Sequence, residues 1–406
     1  MLRIDLLNAR PGMTLALPIY HPEAPDRVLL RANYELVGST IERLRAMGLR
    51  CVWVRYPSVA FIEKYIDQQL LAAHAQVVKH ITDTFATSQA QSGARLRYDE
   101  YTRSIGVLLQ RLLGNPDAAV FMEDICNAPA GGPNGELMRH SSAVTYLALL
   151  MGLKLEGYLI KQRRHIEPAR AKDVSNLGVG AMLHDVGVLQ LDDATRDRFH
   201  RTGDETDPDW RQHPKLGFEQ VRGHVDPSAA TVVLNHHQRF DGKGYAGEGV
   251  PLLCNTSIHI FARIVALAER FDRMRHPTNL PEQPAVCVLA DLLASSLGEQ
   301  FDPTVLHALV CVAPPYPPGS TLRLSDGRWA VALDHNPAAP CRPKVQLIPA
   351  PADLASAADD DKPGEVIDLT EADDDLYVAE YEGKPVGDLN FTARDFTAES
   401  ALAAGW

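Results

Sequence analysis

The chain lacks the features that membrane, secreted or polynucleotide-binding proteins need. None of its 406 residues fall in a run of the roughly eighteen apolar residues that crosses a bilayer. The opening segment, MLRIDLLNARPG, has no hydrophobic stretch of the signal-peptide kind. Six cysteines, at 51, 126, 254, 287, 311 and 341, are scattered without a CxxC pair and read as reduced, buried thiols. A basic stripe is missing too. Residues 351–406 carry fifteen acids and three bases, which leaves residues 1–350 balanced at 37 of each sign out of totals of 52 and 40. The acidity is all tail, and a balanced body argues against a nucleic-acid polymer as partner. These absences predict a cytoplasmic protein with no membrane span.

What is present is a series of imidazoles and carboxylates on apolar segments. His184-Asp185 sits inside VSNLGVGAMLHDVGVL, expected as one apolar helix, where an ionisable pair is costly unless compensated. Glu136 and His140 lie four residues apart in GELMRHSSAVTYLALLMGL, on one helix face. His213 precedes Pro214, which suits a first helical turn. His236-His237 closes PSAATVVLNHHQRF, opened by Asp226 and Pro227 as N-cap and N1. Glu269 and Asp272 share one side of SIHIFARIVALAERFDRM. A lone histidine on such a helix is more often a hydrogen-bonded core residue. Five stations without thiolate favour a polynuclear site for iron, manganese, cobalt or zinc.

The ordered pattern H…HD…H…HH…DGxGY resembles the HD-GYP family, a branch of the HD phosphohydrolases, over about residues 130–315. His184-Asp185 matches the HD doublet and His213-Pro214 the following HP. His236-His237 with Asp241-Gly242-Lys243-Gly244-Tyr245 matches the long signature. ALAERFDRM resembles the family's AD-x-x-D helix, and Glu136 resembles the variant holding a third metal.

The resemblance implies an all-helical core with two or three divalent ions, iron or manganese, that hydrolyses the second messenger cyclic di-GMP. It implies metal ligands at Glu136, His140, His184, Asp185, His213, His236, His237 and Glu269, with Asp185 bridging two ions as a catalytic residue. Tyr245 would lie near the substrate at the pocket lip, and Asp241, Gly242, Lys243, Gly244, Tyr245 and Arg275 would contact it. DGKGY is also good turn chemistry in its own right.

Departures from the family fall on the substrate's contacts. Val188 stands where a phosphate-holding lysine is expected, Gln238 where a glutamate is, Ala246 where a proline is, and Glu269 where an aspartate ligand is. Arg275-His276-Pro277 replaces an arginine-proline element. Lys243, Arg239 or Arg275 are candidates to replace the lysine.

The expected fold is mainly α: a helical HD-type core at 129–315, a small α/β unit at 1–58, a helical connector at 59–128, a β-meander at 316–350 and an acidic, largely flexible tail at 351–406. In the first unit MTLALPIY, RVLL and CVWVRY read as strands and TIERLRAMGL as a helix. KQRRHIEPARAK and RDRFHRTGDETDPDW read as loops, with His200 no ligand. Tyr377, Val378, Tyr381 and Phe391 are candidates to dock back as a strand.

The function so implied is a metal-dependent phosphodiesterase converting cyclic di-GMP to pGpG or GMP in bacterial signalling, with signalling proteins such as the GGDEF type as partners. The alternatives are a catalytically degenerate module that binds metal or nucleotide and works through protein contacts, or a phosphohydrolase for another phosphoester.

Overall fold

The helix Gly135–Lys154 is buried along almost its whole length. An apolar sequence such as SSAVTYLALLMGL can be helical in water only when other helices cover every side of it. Those neighbours are the helices Ser175–Leu183, Ile260–Arg275 and Pro303–Val312, with Gln68–Ala90 behind them. The computed structural model describes residues 1–21, 24–47, 49, 51–56, 65–90, 96–126, 134–278, 280–350 and 364–392. The chain is mainly α-helical around this bundle, and no single helix among the described residues is long and apolar enough to cross a membrane.

Local signals explain how the bundle is cut. Asp226 caps Pro227–Asn235 by accepting from the Ser228 amide, with Pro227 in the first turn. His213–Val221 starts at His213 with Pro214 next to it. Ile260–Arg275 begins after His259, whose ring accepts from the Phe261 amide.

His184-Asp185 is not mid-helix as expected: Ser175–Leu183 ends at Leu183, and a 3-10 turn over Val186–Gln190 follows. Gly187 makes that turn possible. A Cβ there would lie 2.9 Å from the Gly217 Cα and closer still to the Gly217 nitrogen and the His213 carbonyl oxygen. The segments carrying Asp185 and His213 thus touch backbone to backbone.

Other expectations change as well. The first half of RDRFHRTGDETDPDW is helical, since Asp193–Thr202 is capped by Asp192 and stopped by Gly203 at φ +63°, while residues 203–209 form the expected loop. Phe199, which this helix buries, lies flat on Trp210 with ring centroids 3.5 Å apart. KQRRHIEPARAK forms two short helical pieces, and Arg163 closes the turn between them by donating to the Ala171 carbonyl. Within the expected connector, Gln68–Ala90 and Tyr98–Gly114 pack directly on the central helices. MTLALPIY forms no continuous strand: Thr14 and Leu15 make isolated bridges to Glu35 and Val54, and Ile19–His21 pairs with Ala24–Leu30; the strand Leu2–Asp5, not expected, pairs with Cys51–Val54.

The meander is larger than expected. Six strands run in the spatial order Lys384–Pro385, Val378–Tyr381, Thr321–Leu324, Trp329–Ala332, Lys344–Ile348 and Val366–Asp368. Val378 and Tyr381 dock as a strand, one of the expected alternatives, burying apolar faces that a solvated tail would leave in water, while Val366–Asp368, expected as flexible tail, forms the opposite sheet edge. The Arg3 amide donates to the Gly319 carbonyl, tying the first strand to this sheet. Residues 351–363 and 393–406 lie outside the described part. Of the cysteines expected to be buried, Cys311 and Cys341 are buried, Cys51 and Cys287 half-buried and Cys254 exposed.

Candidate metal centre

Five imidazoles and two carboxylates converge where these helices end. They form two groups: Asp185, His213, His236 and His237, and His140, His184, Asp185 and Glu269, with one ligand atom per residue within 4.8 Å of the others. Asp185 belongs to both and is fully buried. Its Oδ1 lies 3.3 Å from His213 Nε2 and 3.5 Å from His236 Nε2, and makes no hydrogen bond. Its Oδ2 lies 3.4 Å from His184 Nε2 and 3.7 Å from His140 Nε2.

The hydrogen bonds behind the rings set their chemistry. His184 Nδ1 is 2.7 Å from the Ala181 carbonyl, His213 Nδ1 2.8 Å from that of Trp210, and His236 Nδ1 2.8 Å from that of Val233. His140 Nδ1 is 2.6 Å from Asp272 Oδ2. Each acceptor requires a proton on Nδ1, so the neutral rings present Nε2 lone pairs inward. Those lone pairs face one another, His140 to His184 at 3.3 Å and His213 to His236 at 3.3 Å, while His237 Nε2 lies 3.1 Å from His213 Nε2. Acceptors this close, beside an orphaned carboxylate oxygen, repel unless a cation lies among them. The donor set therefore fits divalent metal.

Burial and neighbouring charge agree with that. Burial, then the charges of His236 and His213, hold the His237 ring well below its usual range. Burial works to raise the Asp185 pKa, but His184 and its hydrogen bonds outweigh it, and the carboxyl stays well below the carboxylate range. At Glu269 burial is likewise outweighed, chiefly by Arg273. At His184 the balance is reversed: burial lowers the ring's pKa, but the Asp185 carboxylate beside it outweighs that and raises it, so a metal there would displace a proton.

Not every sequence candidate arrives. Glu136 stands outside both groups; its carboxylate accepts from Thr278 Oγ1 at 2.9 Å and lies 3.6 Å from His200 Nδ1. Arg275 is 4% exposed, lies over the Phe271 ring and does not reach the cavity beside the centre. Arg239 pairs with Asp241, whose Oδ1 also accepts from the Lys243 amide, so both cations are spent on the loop or face solvent. The loop's effect on the centre comes through Tyr245. Gly244 lets the chain fold back, since a Cβ there would be 2.7 Å from the Gln238 Cα, and the Tyr245 amide donates to the His237 carbonyl at 3.0 Å. The Tyr245 ring then stacks on His237 at 4.4 Å. Its hydroxyl is buried without a partner among the described residues, and burial, with Glu205 and Glu269 nearby, pushes its pKa well above the phenol range.

Three residues act on the centre that the sequence reading gave no site role. Asp272 holds His140 and accepts two hydrogen bonds from Arg139, at 2.7 and 2.9 Å; its place three residues after Glu269 was the signal. Arg139 is the second. Arg273 is the third: its guanidinium spans Glu269 Oε1 at 2.8 Å and Asp185 Oδ2 at 3.0 Å. Only its spacing of four from Glu269 hinted at this.

A cavity of about 280 Å³ opens beside His140. Leu137, Val188, Leu189, Phe199, Trp210 and Met274 form its apolar wall, while Arg139, Arg196, Arg270 and Arg273 bring positive charge. Tyr245 borders a separate, shallower recess with Arg211 and Gln212.

Residues 137–274 match the family model of the HD domain, and this chain accordingly carries an HD domain. Among named relatives, the cyclic di-GMP phosphodiesterase PA4108 of Pseudomonas aeruginosa is 25% identical over 76% of this chain and 75% of its own length. The cyclic di-GMP phosphodiesterase response regulator RpfG of Xanthomonas campestris is 27% identical over 44% of this chain and 43% of its own. A 3'3'-cGAMP-specific phosphodiesterase of Vibrio cholerae is 25% identical over 32% of this chain and 24% of its own. These relatives support the HD-GYP resemblance read from the motifs.

Proposed function

We propose that this chain is a metal-dependent phosphodiesterase whose substrate is cyclic di-GMP, yielding the linear dinucleotide or GMP. The observation that carries the reading is Asp185, buried between two sets of inward-facing Nε2 atoms with one oxygen turned to each. His213, His236 and His237 with Asp185 would hold one ion, and His140, His184 and Glu269 with Asp185 a second, iron or manganese. Such a pair supplies Lewis-acid stabilisation of charge on a phosphodiester and acidifies the attacking water. The chain's own part is to orient and to neutralise. Arg139, Arg196 and Arg270 line the cavity on carboxylate partners (Asp272, Asp193 and Glu205) that a phosphate would have to replace, and its apolar wall suits a base. Tyr245 covers the His237 face and limits water there.

The test is anaerobic purification of the full chain with manganese or ferrous iron, metal quantification, and a time course with cyclic di-GMP. Two metals per chain and release of pGpG or GMP are expected. Metal without product would favour a second reading, a catalytically silent binding module. Val188 on the cavity wall, where the resemblance calls for a lysine, is what favours that alternative. A chain that takes no metal would end both.

A further inference from the structure

Arg273 is a permanent cation placed on two carboxylates of the candidate centre. It lies one turn after Glu269 on the same helix and reaches Asp185 across the helix boundary, through two separate nitrogens. Its side chain is 19% exposed, against 0% for Asp185 and 4% for Glu269, so it caps the pair from the cavity side. Both carboxylates it touches belong to the His140, His184, Asp185 and Glu269 group, although the same Glu269 Oε1 also lies 3.5 Å from His237 Nε2. The other group is different: Asp185 faces it with Oδ1, which Arg273 does not contact, and three imidazoles supply the rest. Arginine stays charged at any physiological pH, so it cannot step aside by losing a proton.

A divalent ion bound by Asp185 Oδ2 and Glu269 would therefore share its oxygens with a guanidinium, at a range where like charges repel strongly in a buried site. We propose that Arg273 makes the two metal positions unequal. The position with His213, His236 and His237 fills first; the position with His140 and His184 fills only as Arg273 gives up Asp185 and Glu269. Room for that withdrawal exists. The guanidinium already lies 5.5 Å from the Phe199 ring centroid, and Phe199 and Glu205 line the cavity with it. Arg273 would then stand where a substrate phosphate enters, next to Val188, and metal and substrate would both draw it off the carboxylates. The inference rests on the metal-dependent reading and adds an order of filling set by this chain's own side chain.

The experiment is a titration of metal-free, full-length protein with Mn2+ under argon. Free Mn2+ is read by its electron paramagnetic resonance signal and heat by calorimetry. Wild type is expected to bind one ion and then a second at least tenfold more weakly. Arg273→Met, which keeps the aliphatic bulk, is expected to bring the two affinities within tenfold of each other. Arg198→Ala, whose guanidinium pairs with Asp207 and Asp209 away from the cavity and the ligands, is expected to titrate as wild type. The signal of a coupled Mn2+ pair should appear at lower total metal in Arg273→Met. Wild type binding two ions with equal affinity overturns the inference and leaves the metal-dependent reading standing, and this result needs no variant. An Arg273→Met protein whose second site is as weak as wild type or weaker also overturns it, since Arg273 would then be holding the ligands in place. No Mn2+ uptake by any form overturns the metal-dependent reading itself.

Discussion

Gly187→Ala tests the contact on which the centre's geometry depends. The added methyl would meet three backbone atoms of the His213–Val221 helix, the Gly217 Cα at 2.9 Å and two others closer still. Carbon contacts are comfortable at about 3.5–4.0 Å, and backbone cannot turn aside as a long side chain can. The turn Val186–Gln190 must therefore move off that helix by about 1 Å. Overpacking costs about 1–3 kcal/mol, occasionally more, and backbone on backbone places this case near 3 kcal/mol. The displaced segments carry Asp185 and His213, now 3.3 Å apart, and metal–ligand distances tolerate only about 0.2 Å. Melting is expected to fall by roughly 5 °C, and metal content to fall below half that of wild type prepared in parallel. Gly106→Ala is the control, because nothing lies within 4 Å of a Cβ there and the residue is in mid-helix; it should be neutral or slightly stabilising. A Gly187→Ala protein that melts with wild type and keeps its metal would refute the claim that this approach sets the site.

Three other outcomes follow from the structure. Val188 is 6% exposed on the cavity wall; Val188→Lys is expected to tighten cyclic di-GMP binding about tenfold, the worth of one charge-assisted contact, and unchanged affinity by calorimetry would mean the position does not face a phosphate. Asp272→Asn removes the charge behind His140 and Arg139 and is expected to weaken metal affinity about 10–100-fold, read by competition with a chelator; wild-type affinity would remove its positioning role. His74, 6% exposed and bonded to Ser142 Oγ, has its pKa lowered by burial to about 4. A depressed histidine stabilises fully above its unfolded value of about 6.5 and loses that stability as pH falls toward 4, about 3 kcal/mol in all. Urea unfolding should thus show a steeper loss from pH 7 to 4.5 in wild type than in His74→Gln, and parallel losses would contradict the assignment.

Much of the centre was legible because its ligands are short-range pairs. His184-Asp185 and His236-His237 are neighbours in the chain, and Pro214 marks the helix start at His213. Glu136 lies outside the two groups because helical spacing from His140 says only that two side chains share a face; the packing of the helix sends His140 to the cluster and Glu136, one turn earlier, to Thr278. Arg275 was given a substrate contact on similarity of a short motif, and Arg273 none. A two-residue shift on a helix is about 200° of rotation, enough to send Arg275 onto Phe271 and Arg273 onto Asp185. The first half of RDRFHRTGDETDPDW looked like a loop because of its charge, yet one buried Phe199 and two caps suffice for a helix.

By itself the order of residues determined that imidazoles and carboxylates stand on apolar helices, that the body carries no net charge, and that strands follow the helical core. Periodicity, capping and ligand type are local properties, so they survive without coordinates. The tertiary structure alone decided that Asp185 turns one oxygen to each histidine set, that the Nε2 atoms face inward, that Arg273 caps the carboxylates, and that residues 366–391 complete the sheet. Those depend on helix rotation, on backbone approach at Gly187 and on pairing between distant segments. Such quantities are set by the packing of the whole chain, where a shift of a single residue or a single ångström exchanges one partner for another.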